Sequence, residues 1–327
     1  MNVLQNIRYT IPYGYESEWI TIAHMSFIRM HKKIKKYICY GFGIFIVLVF
    51  AFYNFILYPK HFSEFEIWGS TPQSLPFFMF HENDAEELDE IFSYLKNNNY
   101  TTLNAQQSLD IVEGRQAYTG KEVVLTFDDG KLALWTVAGP KLQEYRFTGI
   151  AFVNPGKIQS NSILRKQHIS HITEDDLNLY CTWEELKELQ KTGLDIQSHS
   201  QHHERSLFYN NQSHTTKSAE LLESLTTSKK TLIDKKFGKQ LFFCAPYGSV
   251  SPTLIECSKK AGYPHLIGIL PHEGNHTFYG KENDFKNRDY ILRMNFRSIL
   301  SLPGENRETV VGRLWRRISK GGDRHYK

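Results

Sequence analysis

Val123-Val124-Leu125-Thr126-Phe127-Asp128-Asp129-Gly130 sets the architecture of this chain. The apolar run reads as a short strand buried on both faces, as in a parallel sheet covered by helices. Gly130 then lets the backbone turn sharply. Asp128 and Asp129 therefore stand at the carboxyl end of a strand, where α/β folds keep their chemistry. Two adjacent carboxylates repel one another unless a cation divides their tasks. The plain alternative is an Asp-Gly turn that closes a strand.

Outward from this stretch, strand and helix patterns alternate. Pro76-Phe77-Phe78-Met79-Phe80-His81 reads as a strand, Glu86–Asn97 as a helix and Tyr100–Leu103 as a second strand. A helix around Ala105–Val112 precedes the opening motif, and a helix over Leu132–Tyr145 follows it. Gly149–Val153 is the next strand, and residues 157–180 read as a polar loop. Thr182-Trp183-Glu184-Glu185 carries a capping box for a helix that stops at Gly193. Leu194-Asp195-Ile196 is a strand, residues 218–237 a long helix, Phe242-Phe243 a strand, and Pro252–Ala261 a helix stopped by Gly262. Seven or eight such units imply a parallel barrel with helices outside, not an open sheet. The fold class is thus α/β, a (β/α) barrel.

Ahead of the barrel, Tyr37–Tyr58 holds no charged residue and is about as long as the ~20 residues that cross a bilayer as a helix. Arg29, Lys32, Lys33, Lys35 and Lys36 precede it, and tyrosines sit toward both of its ends. The positive-inside rule then predicts a cytoplasmic tail over 1–36, a transmembrane signal anchor over 37–58, a linker over 59–74 and an outward-facing domain over 75–300. The expected location is a bacterial inner membrane, with the lipid bilayer as one partner. Residues 301–327 form a basic segment, amphipathic through Val310, Leu314 and Ile318, with Arg313, Arg316, Arg317 and Lys320 opposite. A formal charge of +4 over 327 residues is too small and dispersed to argue for nucleic acid. Of four cysteines, Cys39 lies in the apolar segment. Cys181, Cys244 and Cys257 lack metal-type spacing, and a Cys244–Cys257 bridge stays open.

The second chemical cluster is Ser198-His199-Ser200-Gln201-His202-His203, also after a strand. His199 and His203, four apart, can bring two imidazoles to one point, while His202 points elsewhere. All strand ends of a parallel barrel meet at one face. Two histidines and one carboxylate would then form a three-ligand site with open positions, the pattern of a catalytic metal.

With these residues in hand, the sequence resembles the polysaccharide deacetylase family, also called the NodB-homology or carbohydrate esterase family 4 domain. Thr126-Phe127-Asp128-Asp129-Gly130 matches its first motif, His199-Ser200-Gln201-His202-His203 its second, and Ala245-Pro246-Tyr247-Gly248 most of its third. The His81 region and the Thr182–Leu186 helix are also similar, so the resemblance covers roughly residues 75 to 297. It implies a distorted (β/α)7-type barrel and removal of N-acetyl groups from an amino-sugar polymer. It also implies a divalent metal, zinc first, with cobalt, nickel or manganese as alternatives. By position, Asp129, His199 and His203 would hold the metal. Asp128 would be the general base toward a metal-activated water, and the backbone N–H of Tyr247 would face the oxyanion. Pro246 fixes the turn that presents that N–H, so Pro246 and Tyr247 are the expected substrate contacts.

Two departures stand out. The family's third motif usually begins with an arginine that orients the base, and here Cys244 takes that place; Arg293 is the candidate to supply the charge from another strand. The last motif is not found, which leaves His272 as the first candidate for the general acid, ahead of His265 and His276. These departures motivate two alternatives: a catalytically impaired glycan-binding protein of the same fold, or an esterase or amidase for another acyl group.

Overall fold

The structure is a computed structural model that describes residues 16–52, 75–81, 84–161, 164–167, 175, 178–209, 215–269 and 290–302. The chain divides into two units, residues 1–62 with 310–327, and residues 63–309. In the first unit the described element is one helix, α1 (Glu16–Phe52). Tyr37, Ile38, Phe42, Phe45 and Leu48 on it are exposed. Among the described residues no helix is long and apolar enough to cross a membrane. The amino-terminal part of α1 carries the basic cluster, and residues 53–58 of the predicted span lie outside the described residues. The predicted linker over 59–74 and the amphipathic segment after 303 also lie outside them.

The second unit is built from eight strands: β1 (Phe77–Phe80), β2 (Thr101–Thr102), β3 (Glu122–Phe127), β4 (Gly149–Val153), β5 (Leu194–Ser198), β6 (Phe242–Cys244), β7 (His265–Ile269) and β8 (Tyr290–Asn295). Their order is β1-β8-β7-β6-β5-β4-β3-β2, and β1 also pairs with β3. That extra pairing closes seven strands into a barrel and leaves β2 outside, attached to β3. All the pairings are parallel. The outer helices are α2 (Ala85–Asn97), α3 (Ala105–Val112), α4 (Gly139–Tyr145), α5 (Trp183–Lys191), α6 (Arg205–Phe208), α7 (Ser218–Asp234) and α8 (Pro252–Lys260).

Strand alternation sorts the side chains into two apolar groups. Phe77, Val124, Ile150, Phe152, Phe242, Cys244 and Ile267 form one inside the barrel, and Ala105 and Leu109 of α3 pack against them. Phe78, Phe80, Leu125, Ala151, Ile196, Phe243 and Leu292 belong to the other, between sheet and helices. The Ala105 N–H at the start of α3 donates to Asp195 on β5 at 2.8 Å, which ties α3 to the barrel. The β5–β6 pairing is short, Ser198 with Phe243. There the Gln197 carboxamide substitutes for backbone: its oxygen accepts from the Leu241 and Phe242 N–H groups, and its nitrogen donates to the Lys239 carbonyl.

Two sequence expectations change. The helix predicted over Leu132–Tyr145 begins as a π-turn, Leu134–Ala138, before α4. Pro140 has no N–H to continue the regular ladder, and the Gly139 N–H bonds to the Leu134 carbonyl instead. A side chain at Gly139 would also lie 2.4 Å from Leu189. The polar stretch 157–180 is tied down where it is described. Arg165 donates to both carboxylate oxygens of Glu185 at 2.9 and 2.6 Å, and Trp135 Nε1 donates to the Arg165 carbonyl. Glu185 also completes the predicted capping box with Thr182. All four cysteines are free, so no Cys244–Cys257 bridge forms.

Candidate metal centre and active site

Strands β3, β5, β6 and β8 deliver the candidate residues to the carboxyl mouth of the barrel. After β3, Asp129 and Gly130 both adopt positive φ, 68° and 73°. A side chain at Gly130 would lie 2.9 Å from Val153 Cγ1, so the turn requires glycine. After β5, Ser200 and His203 are left-handed as well. Their loop is held by the Ser200 hydroxyl, which accepts from the His203 N–H and donates to Glu204. Asn154 Nδ2 donates to the His199 carbonyl. After β6, Pro246–Gly248 forms a 3-10 turn in which Tyr247 has φ 58°.

Asp129 Oδ1 lies 3.7 Å from His199 Nε2 and 3.5 Å from His203 Nε2. One donor atom from each residue falls within a 4.8 Å group. His199 Nδ1 is 2.8 Å from the Cys244 carbonyl. A carbonyl can only accept, so this nitrogen carries the hydrogen and Nε2 turns its lone pair to the cluster. Burial pushes both histidines below their ordinary pKa, His203 down to about 4, with His199 and Lys157 adding to its shift. Both imidazoles are neutral near pH 7, and a carboxylate stands beside them, so the donor set fits a divalent cation. Cys244, Asp128 and His199 also lie close together. Burial drives the Cys244 thiol well above its ordinary pKa, and Arg293 engages both Asp128 oxygens, which makes this trio a poor cation site.

Asp128 is buried under the cluster. Arg293 on β8 donates to its two oxygens at 2.6 and 2.7 Å and to Thr126 Oγ1 at 2.9 Å. Arg293 is 0% exposed, inside the barrel, with its guanidinium 5.6 Å from the Phe152 ring centre. Burial raises the Asp128 carboxyl, but Arg293, then His199, outweigh it and hold the group well below the usual carboxylate range. At the end of β1, His81 Nε2 lies 3.9 Å from Asp128 Oδ2, with the side chain 38% exposed. The sequence reading gave His81 no role. The signal was present, because an apolar strand runs into a polar residue there as β3 runs into Asp128.

The other histidines are placed differently. His265 begins β7, at the opposite end from the cluster, and lies 3.3 Å from Glu113 at the end of α3. It is therefore no candidate for the acid, since the start of a parallel strand faces away from the mouth. His272 and His276 lie outside the described residues. His202 packs on Gly156, where a side chain would come within 2.0 Å of its ring, and is not part of the donor set. Tyr247 stacks edge-on against His203, ring centres 4.6 Å apart.

A closed parallel barrel with an Asp-His-His cluster at its strand ends and a clamped carboxylate beside it defines a class of α/β barrels with a candidate metal site at the mouth. Within that class, the model of the polysaccharide deacetylase family matches residues 115–266 of this chain. Both His81 and Arg293 lie outside the matched segment. The chain is similar to YxkH of Bacillus subtilis, 25% identical over 212 residues that cover 62% of this chain and 66% of that one. It is also similar to the poly-β-1,6-N-acetyl-D-glucosamine N-deacetylase of Staphylococcus aureus strain MRSA252, 26% identical over 152 residues, 46% of this chain and 48% of that one. The matches thus span from about half to just under two thirds of these relatives. Among solved structures, the Streptococcus pyogenes deacetylase PplD aligns with a TM-score of 0.54 at 18% identity, over 71% of this chain and 99% of that chain. At that identity the likeness concerns the fold.

Proposed function

We propose that this chain is a metal-dependent hydrolase that removes N-acetyl groups from an extracytoplasmic amino-sugar polymer. The observation that carries this reading is the division of labour between neighbours: Asp129 joins two neutral histidines, while Arg293 holds Asp128 apart as a free carboxylate. A divalent cation on Asp129, His199 and His203, zinc in the first instance, would polarise the acetamide carbonyl and acidify a water. Asp128 accepts the proton of the attacking water, in the orientation that the Arg293 fork imposes. The Tyr247 N–H faces the oxygen that gains charge, and Pro246 fixes the turn that aims it. His81, half-exposed beside Asp128, protonates the departing amine, the part first assigned to His272. Arg293 supplies the charge that Cys244 cannot, which weakens the case for an impaired glycan-binding protein.

The test is acetate release by the full chain from N-acetylglucosamine oligomers, β-1,6 and β-1,4 linked, alongside metal analysis. Stoichiometric metal with no acetate from either oligomer would count against the deacetylase reading. Release from an O-acetylated substrate alone would favour the esterase. We also propose that residues 37–58 anchor the chain in a bacterial inner membrane with the barrel outside, a reading supported by the exposed apolar side chains of α1. Recovery of the full chain in the soluble fraction of expressing cells would oppose it.

A further inference from the structure

The loop that carries His203 continues into a strip of side chains that the reaction above does not use. Arg205 opens α6, and its guanidinium carbon lies 3.8 Å from the ring centre of Tyr209 and 5.9 Å from that of Tyr247. Tyr209 meets Tyr247 at 90°, ring centres 5.4 Å apart, and Tyr247 leans on His203. The strip therefore runs outward from a metal donor to the open rim, where Tyr209 is 57% exposed and Arg205 is exposed. Among the described residues no carboxylate forms a salt bridge with Arg205. The adjacent acid, Glu204, is occupied elsewhere: the Ser200 and Ser224 hydroxyls donate to its two oxygens at 2.8 and 2.7 Å. Arg205 also engages the Tyr247 hydroxyl, but a guanidinium has five N–H groups, so one stacked on a ring still keeps donors for an acceptor in its own plane, and that fork matches a carboxylate. The two tyrosines offer apolar faces of the kind that take the C–H side of a sugar ring.

We propose that Arg205, seated on Tyr209 beside the reaction centre, recognises a carboxylate on the sugar unit next to the one that loses its acetyl group. The substrate class is then an acidic N-acetylated glycan. This inference rests on the deacetylase reading and adds the charge of the polymer to it. An exposed ion pair is screened by water, so its effect is a preference and not an absolute requirement.

The experiment uses the metal-loaded full chain and two ligands of one shape. One is a tetrasaccharide alternating N-acetylglucosamine with glucuronic acid, and the other is its methyl ester. Binding of each is measured by calorimetry. The wild type is expected to bind the acid about tenfold more tightly than the ester, equivalent to about 1.4 kcal/mol. That ratio should fall toward one in Arg205→Gln and be partly kept in Arg205→Lys. Equal binding of acid and ester by the wild type, or an undiminished ratio in Arg205→Gln, overturns the proposal. The ratio compares two ligands on one protein, so a loss of folded fraction cancels. Acetate release from a neutral N-acetylglucosamine tetramer by the wild type reports separately on the deacetylase reading, which can fail while the acid-to-ester ratio still decides the part of Arg205.

Discussion

Asp128 and Asp129 are sequence neighbours with different surroundings, because the left-handed turn at Asp129 sends one carboxylate down to Arg293 and the other across to the histidines. Arg293→Met should leave Asp128 as an unpaired buried charge and cost roughly 3–5 kcal/mol of stability, read by denaturant unfolding. Adding Asp128→Asn removes that charge and should recover much of the stability while acetate release stays abolished. Histidine burial gives a second prediction. The folded pKa of His203, about 4, lies below its ordinary 6.5, so between these values the unfolded chain binds more protons than the folded one. Stability of the metal-free protein should therefore fall as pH drops from about 6.5 to about 4, as followed by thermal melts. His203→Gln should flatten that dependence. The donors were legible in the sequence because their spacing and their place after apolar strands are local signals. Arg293 was reached only through the absence of an arginine at Cys244, and His81 not at all, since both meet Asp128 through the closed barrel.

At the level of elements, the site is a set of turns that glycine or a left-handed residue makes possible. Gly248 has φ 63°, and a side chain there would lie 2.5 Å from Ile269. Gly248→Ala should cost at least about 1–3 kcal/mol and lower activity by displacing the adjacent Tyr247 N–H. Glu185 shows how one residue can serve two elements, capping α5 and fixing the 164–167 segment through Arg165. Glu185→Ala should lower stability by about 1–3 kcal/mol, because the buried Thr182 N–H and the Arg165 guanidinium lose their acceptor. It should also speed proteolytic cleavage within 157–180, which gel analysis of limited digests would show. Helices with caps and apolar periodicity were readable in advance. The π-turn before α4 was not, because Gly139 answers to Leu189 across the fold and not to its own neighbours.

For the molecule as a whole, the alternation of strands with helices was enough to imply a barrel, but which strands close it was not visible in the chain. β1 pairs with both β8 and β3, and β2 is left outside, a choice made by packing between distant segments. Seven closed strands also set how the site is put together in time. Asp129, His199 and His203 are all present once the loop after β5 has been made, yet the group that orients Asp128 arrives 165 residues after it, on the strand that shuts the barrel. A growing chain on the ribosome could thus gather the Asp-His-His cluster long before Asp128 was aligned by Arg293. On the deacetylase reading, catalytic competence would wait for β8: a chain that stops short of it would carry the donor set without an oriented Asp128.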